Sequence, residues 1–356
     1  MKQESALIAM SGGVDSSVAA YLARQEGLRC IGAIAKMCDE SLLDPSYHRQ
    51  SVHDAQAVAA SLGMEFHTFD AVDAFKDAVV NDFIHCYETG LTPNPCIRCN
   101  RHIKFSFLLD KALSLGCDYI VTGHYAQIRQ DTKTGRYLLY KAVDEAKDQS
   151  YFLASLTQDQ LRHIRFPLGA YTKEQIRLIA REQGFLNAKK RDSQDICFIP
   201  EGDFMAFICR YTGNSYPQGA FLDLAGKEVG RHTGAIRYTL GQRKGLGLAM
   251  GEPVYVCGKN MEENTVTVGP ESALYTRTLV ATDWNWIPFP VLTEPMQVSD
   301  KARSRHIPQS ATVIPSEGGN ARVVFDDPQR AITPGQTVVL YDGDMVIGSG
   351  TITETY

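Results

Sequence analysis

Apolar positions in the first 200 residues switch between two periods. Residues 5–10 make a short, mostly apolar run, read as a buried strand that ends in a glycine turn. Residues 14–26 place Val14, Val18, Tyr21 and Leu22 on one side of a helical period. A second strand is expected at 28–35, an amphipathic helix at 48–62 closed by Gly63, and a third strand at 64–69. A helix over about 71–87, a proline-containing loop at 91–100, a helix at 102–115 stopping at Gly116, and a short strand at 118–122 follow. This alternation predicts an α/β unit with a parallel sheet covered by helices on both faces.

After about residue 205 the pattern changes to short, β-branched, alternating runs: 254–257, 265–268, 278–282, 311–314, 321–325, 337–341 and 345–352. Turns such as Gly258-Lys259-Asn260 and Asp342-Gly343-Asp344 separate them. The expectation is antiparallel β structure, as one larger barrel or two small ones. Trp284, Trp286, Pro288 and Pro290 lie near a boundary at about 275–290. The domain reading is 1–204, 205–276 and 277–356, with the two later domains small and mainly β and the last a β-barrel.

At 356 residues the chain has room for two or three domains, and 44% hydrophobic with 22% charged residues excludes a mainly disordered chain. No run approaches the ~20 apolar residues that span a bilayer. The N-terminus lacks a signal-peptide core and cleavage site, so a cytoplasmic protein is expected. Nine cysteines are too sparse for a disulfide scaffold. Cys30, Cys38, Cys86, Cys117, Cys209 and Cys257 occur singly and read as buried small hydrophobes.

The net charge of −5 gives no global attraction to nucleic acid. Residues 162–191, however, hold eight bases (Arg162, Arg165, Lys173, Arg177, Arg181, Lys189, Lys190, Arg191) and two acids. Such a stripe is either a solvated helix face or a local phosphate-binding surface.

Ser11-Gly12-Gly13-Val14-Asp15-Ser16-Ser17 joins the first strand to the first helix. Glycines permit close ligand approach, and the helix N-terminus with nearby hydroxyls favours an anion. The bland alternative is a turn in which Asp15 and Ser16 serve only the helix N-terminus. The string is neither a Walker A loop nor a dinucleotide fingerprint. It resembles the PP-loop of the ATP pyrophosphatases (adenine nucleotide alpha hydrolase-like). These enzymes adenylate a carbonyl oxygen and release pyrophosphate. The resemblance implies that Asp15 helps hold Mg²⁺.

Thr92-Pro93-Asn94-Pro95-Cys96-Ile97-Arg98-Cys99-Asn100 contains a CxxC pair. Prolines stiffen it, and Cys99 is expected at a helix entrance with Asn100 as N-cap. Arg98 and Arg101 beside the helix dipole favour thiolate there. A structural zinc site needs four ligands, and no second close pair exists. A reactive or cluster-binding thiol remains. Cys197, between the polar run Asp192-Ser193-Gln194-Asp195 and Phe198, reads alone as core, but the basic triplet before that run favours a functional loop.

TPNPCxxCN, Gly123-His124-Tyr125-Ala126, Lys147-Asp148-Gln149-Ser150-Tyr151-Phe152-Leu153, DSQDICF and Gly241-Gln242-Arg243-Lys244-Gly245-Leu246-Gly247 resemble, in order and spacing, the tRNA-specific 2-thiouridylase (MnmA/TrmU) family. The resemblance covers nearly the whole chain. It implies ATP-dependent adenylation of the 2-oxygen of the wobble uridine in tRNA Lys, Glu and Gln, followed by replacement of that oxygen with sulfur. Cys99 is implied as nucleophile and Cys197 as persulfide carrier, the two ending as a disulfide. ATP is implied to lie against Ala9, Met10, Ser11, Gly12, Gly13, Val14, Asp15, Ser16, Ala35 and Gly123. Asn94, Pro95 and Cys96 are implied to line the target-base pocket. His124, Lys147, Asp148, Gln149, Arg303, Ser304 and Gln336 are implied to meet tRNA.

Cys96 stands where family members often have Asp, and Ala35 where they often have Met. The tRNA backbone is expected on 162–191, on Arg231, Arg237, Arg243 and Lys244, and on Lys301, Arg303 and Arg305, against a reading as plain surface charge. The implied sulfur source is a cysteine desulfurase or a sulfur-relay protein. Two alternatives stand beside this reading. One is an iron–sulfur cluster held by Cys96, Cys99 and Cys197. The other is a non-enzymatic ATP-binding module that only senses tRNA.

Overall fold

The computed structural model describes residues 3–39, 42–190 and 196–356. Its first part contains strands β1 (Ser5–Ala9), β2 (Arg29–Lys36), β3 (Glu65–Asp70) and β4 (Tyr119–Val121), a hairpin of β5 (Gln127–Gln130) and β6 (Tyr137–Tyr140), and β7 (Ile164–Arg165). Five of these form a parallel sheet in the order β3-β2-β1-β4-β7. Neighbouring residues of β1 feed opposite faces: Ala6 and Ile8 join one core and Leu7 the other. Helices α1 (Val14–Gln25) and α2 (Pro45–Ser61) cover the first face, where Val18, Ala19, Ala55 and Ala59 are fully or almost fully buried. The chain winds outward from β1 in both directions, so the sheet has a switch point between β1 and β4. Ligands of open α/β sheets bind beyond the strand C-termini at such a point.

Two antiparallel-rich units follow. The central one pairs β8 (Gly219–Leu222), β9 (Glu228–His232), β10 (Tyr255–Asn260) and β11 (Thr265–Gly269) in the order β10-β11-β8-β9, around Phe221, Tyr238, Val256 and Val266. The last comprises β12 (Tyr275–Trp286), β13 (Met296–Lys301), β14 (Gln309–Pro315), β15 (Ala321–Arg330), β16 (Thr337–Asp342) and β17 (Met345–Thr355). Pairing of β12 with β17 closes these six into a barrel. The hairpin β5–β6 adds to the same sheet where Tyr140 meets Met345. The barrel sheet therefore takes a hairpin from the first part of the chain as well as strands from the last.

The expected parallel sheet and terminal barrel are both present. The principal local difference is at the cysteine pair. The expected loop 91–100 ends at Asn94, and a helix runs Pro95–Cys99, continues as a wide π-turn segment Asn100–Phe107 and ends as Leu108–Ser114. Asn94 is the N-cap, its Oδ1 accepting the Ile97 N–H at 3.4 Å, and Pro95 occupies the first helical position. Proline is favoured there because that N–H has no helical partner anyway. Asn100 is thus inside the helix and caps nothing.

Strand β13 lacks a clean alternation because it carries Asp300. This carboxyl is fully buried in the barrel wall, and neither oxygen has a hydrogen-bond partner among the described residues. Burial holds its pKa well above the carboxylate range. The folded protein therefore keeps a proton that the unfolded chain has released, so stability falls as pH rises from about 4 through the raised folded value. Asp300→Asn is expected to raise neutral-pH stability, on the order of 1–3 kcal/mol, and to flatten that slope. Thermal melts between pH 5 and 8 check this. An unchanged slope would show that another group carries it.

Candidate functional site

The phosphate loop leaves the C-terminal end of β1, and Met10 N–H donates to Ala33 O at 2.7 Å. Ala9 and Ala35 flank that end of the sheet, each partly buried. Gly12 has φ +70°, and a Cβ there would stand 2.6 Å from Ser51 O, so both conformation and space require glycine. Among the described residues no side chain caps α1 at Gly13. The Ser16 and Ser17 hydroxyls instead donate to Gly13 O at 3.1 and 3.0 Å, and Ser16 Oγ accepts the Ser11 N–H at 3.2 Å. These hydroxyls shape the loop and leave the first turn of α1 without a side-chain cap, an arrangement suited to an anion. Gly123, following β4, lies so close that a Cβ would sit 2.6 Å from Ser16 N.

Asp15 is held by partners that sequence reasoning missed. Lys173 Nζ donates to both its oxygens at 2.8 Å, and Tyr125 OH donates to Oδ1 at 2.8 Å. Lys173 is buried, with its ammonium 5.8 Å from the Tyr125 ring centre. It therefore belongs to the phosphate loop and not to an outward basic stripe. One sequence signal pointed there: Lys173 opens the helix Lys173–Glu182, where the dipole disfavours a cation unless a carboxylate answers it. Lys190, though exposed, also reaches the loop, donating to Gly12 O at 3.2 Å and Asp54 at 2.9 Å. Asn187 Nδ2 reaches Gly12 O and Ser17 Oγ. Arg181 and Lys189 stay exposed, and Arg191 lies outside the described residues, as does the run 192–195.

Cys99 is buried, and its Sγ lies 3.9 Å from Met37 Sδ at the end of β2. The expected arginine activation is absent. Arg98 turns to Ala78 O at 3.3 Å and Asp82 at 3.4 Å. Burial raises the Cys99 pKa, Lys104 opposes that rise and Cys96 adds to it. Cys197 is raised by burial too, then by Cys99, Cys38 and Cys96, with Lys104 again opposing. Cys96 and Cys197 nonetheless present surface to solvent. Cys38, Cys96 and Cys99 stand near enough to Cys197 for their charges to act on it. Cys38 was expected in a plain core. It is partly buried against the cluster that includes Cys99, Ile103 and Phe198, and burial, then Asp39 and Cys99, pushes its pKa to about 12. All nine cysteines are free thiols.

Several other candidate residues have internal partners. His124 is buried between the Phe105 and Phe166 rings, with Nδ1 2.6 Å from Thr122 Oγ1. Burial, then Lys104, lowers its pKa, so the ring is neutral at pH 7. Asp148 accepts from Ala142 N–H, Ser150 N–H and Ser150 Oγ–H. Gln149 Oε1 accepts the Tyr125 N–H at 2.9 Å. Lys147 is half-buried beside them. Arg303 is exposed and Ser304 partly so on the barrel, whereas Gln336 donates to Thr92 O and Pro93 O at 2.9 and 3.1 Å. Arg231, Arg237, Arg243, Lys244 and Arg305 are exposed.

Three family models match the chain in succession: a tRNA methyl transferase HUP domain at 4–201, a tRNA methyl transferase PRC-barrel domain at 205–270 and an aminomethyltransferase β-barrel domain at 276–352. The tRNA-specific 2-thiouridylase MnmA of Acetivibrio thermocellus is 46% identical over 358 residues, covering 99% of this chain and 100% of that protein. The tRNA-specific 2-thiouridylase MnmA of Clostridium acetobutylicum is 46% identical over 354 residues, covering 97% and 98%. This chain belongs to the tRNA-specific 2-thiouridylase family. Among solved structures, the U34-tRNA thiolase NcsA from Methanococcus maripaludis with its [4Fe-4S] cluster is 17% identical, covers 60% of this chain and 72% of that chain, and has a TM-score of 0.36. That likeness is too slight to bear on this thiouridylase's chemistry. No helix among the described residues is long and apolar enough to cross a membrane.

Proposed function

We propose that this 2-thiouridylase divides its chemistry between the phosphate loop, which activates the wobble uridine of tRNA Lys, Glu and Gln, and two thiols, Cys197 carrying sulfur and Cys99 completing the exchange. The observation that carries this reading is a convergence at one sheet edge. The end of β1 supplies the anion loop, the end of β2 supplies Met37 against Cys99, and the end of β4 supplies Gly123.

The uridine 2-carbonyl is amide-like, and its oxygen leaves poorly. Attack of that oxygen on the α-phosphate of ATP converts it to a phosphate ester and expels pyrophosphate towards the loop amides. The residues fit a magnesium–triphosphate: uncapped amides face the anion and Asp15 offers a carboxylate beside them. Bound there, Mg²⁺ supplies charge neutralisation of the leaving pyrophosphate. The Cys197 persulfide then attacks C2 and AMP departs. Cys99 attacks the inner Cys197 sulfur, which breaks the persulfide bond, frees 2-thiouridine and closes a Cys99–Cys197 disulfide. A second route has Cys99 release hydrosulfide from the persulfide first. Both routes end in the same disulfide, which a dithiol reductant reopens.

The proposal routes sulfur through thiols; an iron–sulfur cluster on Cys96, Cys99 and Cys197 is the competing route, and a visible spectrum of anaerobically purified protein separates the two. A cysteine desulfurase or relay protein as sulfur donor, and action in the cytoplasm, complete the proposal. Transfer of labelled sulfur to tRNA, with ATP and a desulfurase present, tests it. A tRNA that gains no 2-thiouridine under those conditions would overturn it.

Exposed cations hold the tRNA backbone in this reading. Replacing Arg181 and Lys189 together by Ala is expected to reduce the slope of log affinity against log salt by up to ~2, about 0.9 for each phosphate no longer neutralised. An unchanged slope returns both residues to plain surface charge.

A further inference from the structure

The barrel grips the chain immediately before the cysteine helix. Thr92 N–H donates to Pro334 O at 3.0 Å, and the Gln336 amide donates to Thr92 O and Pro93 O. The turn that presents Gln336 is itself tied down, because Gly335 N–H donates to Ile352 O and Ile352 N–H donates to Gln336 O. Gly335 has φ +87°, and a Cβ there would stand 2.8 Å from both Leu91 Cβ and Thr92 N, so the close approach admits no side chain.

A second tether enters from the segment Ser150–Leu153. Tyr151 is buried and its OH donates to Thr337 O at 2.8 Å, with the Asn94 side chain in reach of the same hydroxyl. Asn100 Nδ2 donates to Phe152 O at 3.0 Å. Cys99 thus stands on a helix whose N-cap residue and following residue are both tied to this segment, while the barrel rim holds the two residues before the cap. Pro93 and Pro95 remove backbone freedom on either side of Asn94, so a displacement at 92–93 passes to the helix axis.

We propose that Gln336, on the barrel, and Tyr151, in the segment Ser150–Leu153, are positioning residues that set the orientation of the Cys99 helix. Gln336 then acts on Cys99 through the loop, a role separate from any contact it makes with tRNA. The proposal rests on the assignment of Cys99 as the exchange thiol. Its first test does not, because it reads the geometry of Cys99 without substrate.

Gln336→Glu keeps the side chain's shape but replaces two donated hydrogen bonds by repulsion against two carbonyls. Tyr151→Phe removes one hydroxyl and keeps the ring in its core. Cys99 alkylation by iodoacetamide, followed by mass spectrometry without ATP or tRNA, is expected to be at least several-fold faster in both variants. Steady-state thiolation is expected to show kcat reduced about tenfold in both variants, with KM for tRNA within about twofold in Tyr151→Phe, since lost alignment weakens the transition state and not uniform binding. Unchanged alkylation in Gln336→Glu, with the defect confined to KM, would overturn the proposal and place Gln336 against tRNA. If Gln336→Glu fails to fold, Tyr151→Phe decides: unchanged alkylation and unchanged kcat there would overturn it equally. Faster alkylation with no thiolation by the wild-type protein would uphold the clamp and overturn the functional assignment.

Discussion

Cys197→Ser is expected to take up no labelled sulfur from a cysteine desulfurase, while Cys99→Ser takes it up and fails to pass it on catalytically. The difference follows from where each thiol stands. Cys197 exposes surface, so a partner protein can reach it, whereas Cys99 is buried against Met37 at the end of β2. A buried thiol is poorly placed to receive sulfur from a second protein. Thiolation should fall on the order of 10³-fold or more in each variant, as when the nucleophile is removed from a nucleophile-dependent reaction. Both variants should still bind ATP and tRNA, since neither thiol touches the phosphate loop.

The same environment dictates a pH effect. Burial and the neighbouring sulfurs raise the Cys197 pKa, so at neutral pH the unloaded residue is a neutral thiol. Its alkylation should therefore quicken as pH rises across the alkaline range, with no plateau near the usual thiol value. A persulfide is the more acidic species, so loading itself produces the reactive anion. Mass spectrometry after trapping reads the label directly. Extra sulfur on Cys99 and none on Cys197 would reverse the two roles.

Different parts of this site were legible to different degrees, for physical reasons. The phosphate loop was readable because its chemistry is local: two glycines, a helix start and a carboxylate lie within seven residues. The cysteine pair was readable as residues but not as geometry. Pro95 reads equally as a loop stiffener or as the first residue of a helix, and only the Asn94 cap decides between them. The local charge of Arg98 suggested activation, but its guanidinium turns to Asp82, so sequence adjacency misassigned the field. The hairpin β5–β6 was missed because each strand has four residues and the hairpin joins the barrel only through Tyr140 and Met345, far apart in the chain.

Lys173→Met is expected to cut ATP-dependent pyrophosphate release about a hundredfold, and Asp15→Asn to abolish it. In the structure both Asp15 oxygens are bound to the Lys173 ammonium, with Tyr125 adding a third donor. A divalent cation held by Asp15 must share or displace that ammonium, which would then turn to the first turn of α1, where the phosphates are proposed to lie. Lysine is thus suited to two tasks, fixing the carboxylate before ATP arrives and facing phosphate afterwards. Methionine fills the space of the aliphatic stem but performs neither.

The Lys173→Met variant should remain folded. Its stability loss is expected on the order of 1–3 kcal/mol, below that of a fully enclosed pair because the Asp15 side chain is 31% exposed. Asp15→Asn keeps the shape and the Tyr125 hydrogen bond while removing the negative charge, so its defect reports on charge alone. Pyrophosphate release with cognate tRNA, measured beside ATP binding by calorimetry, separates binding from chemistry. Normal release by Asp15→Asn would remove the carboxylate from the reaction. Normal release by Lys173→Met, with Asp15→Asn inactive, would reduce Lys173 to a counter-ion of the resting protein.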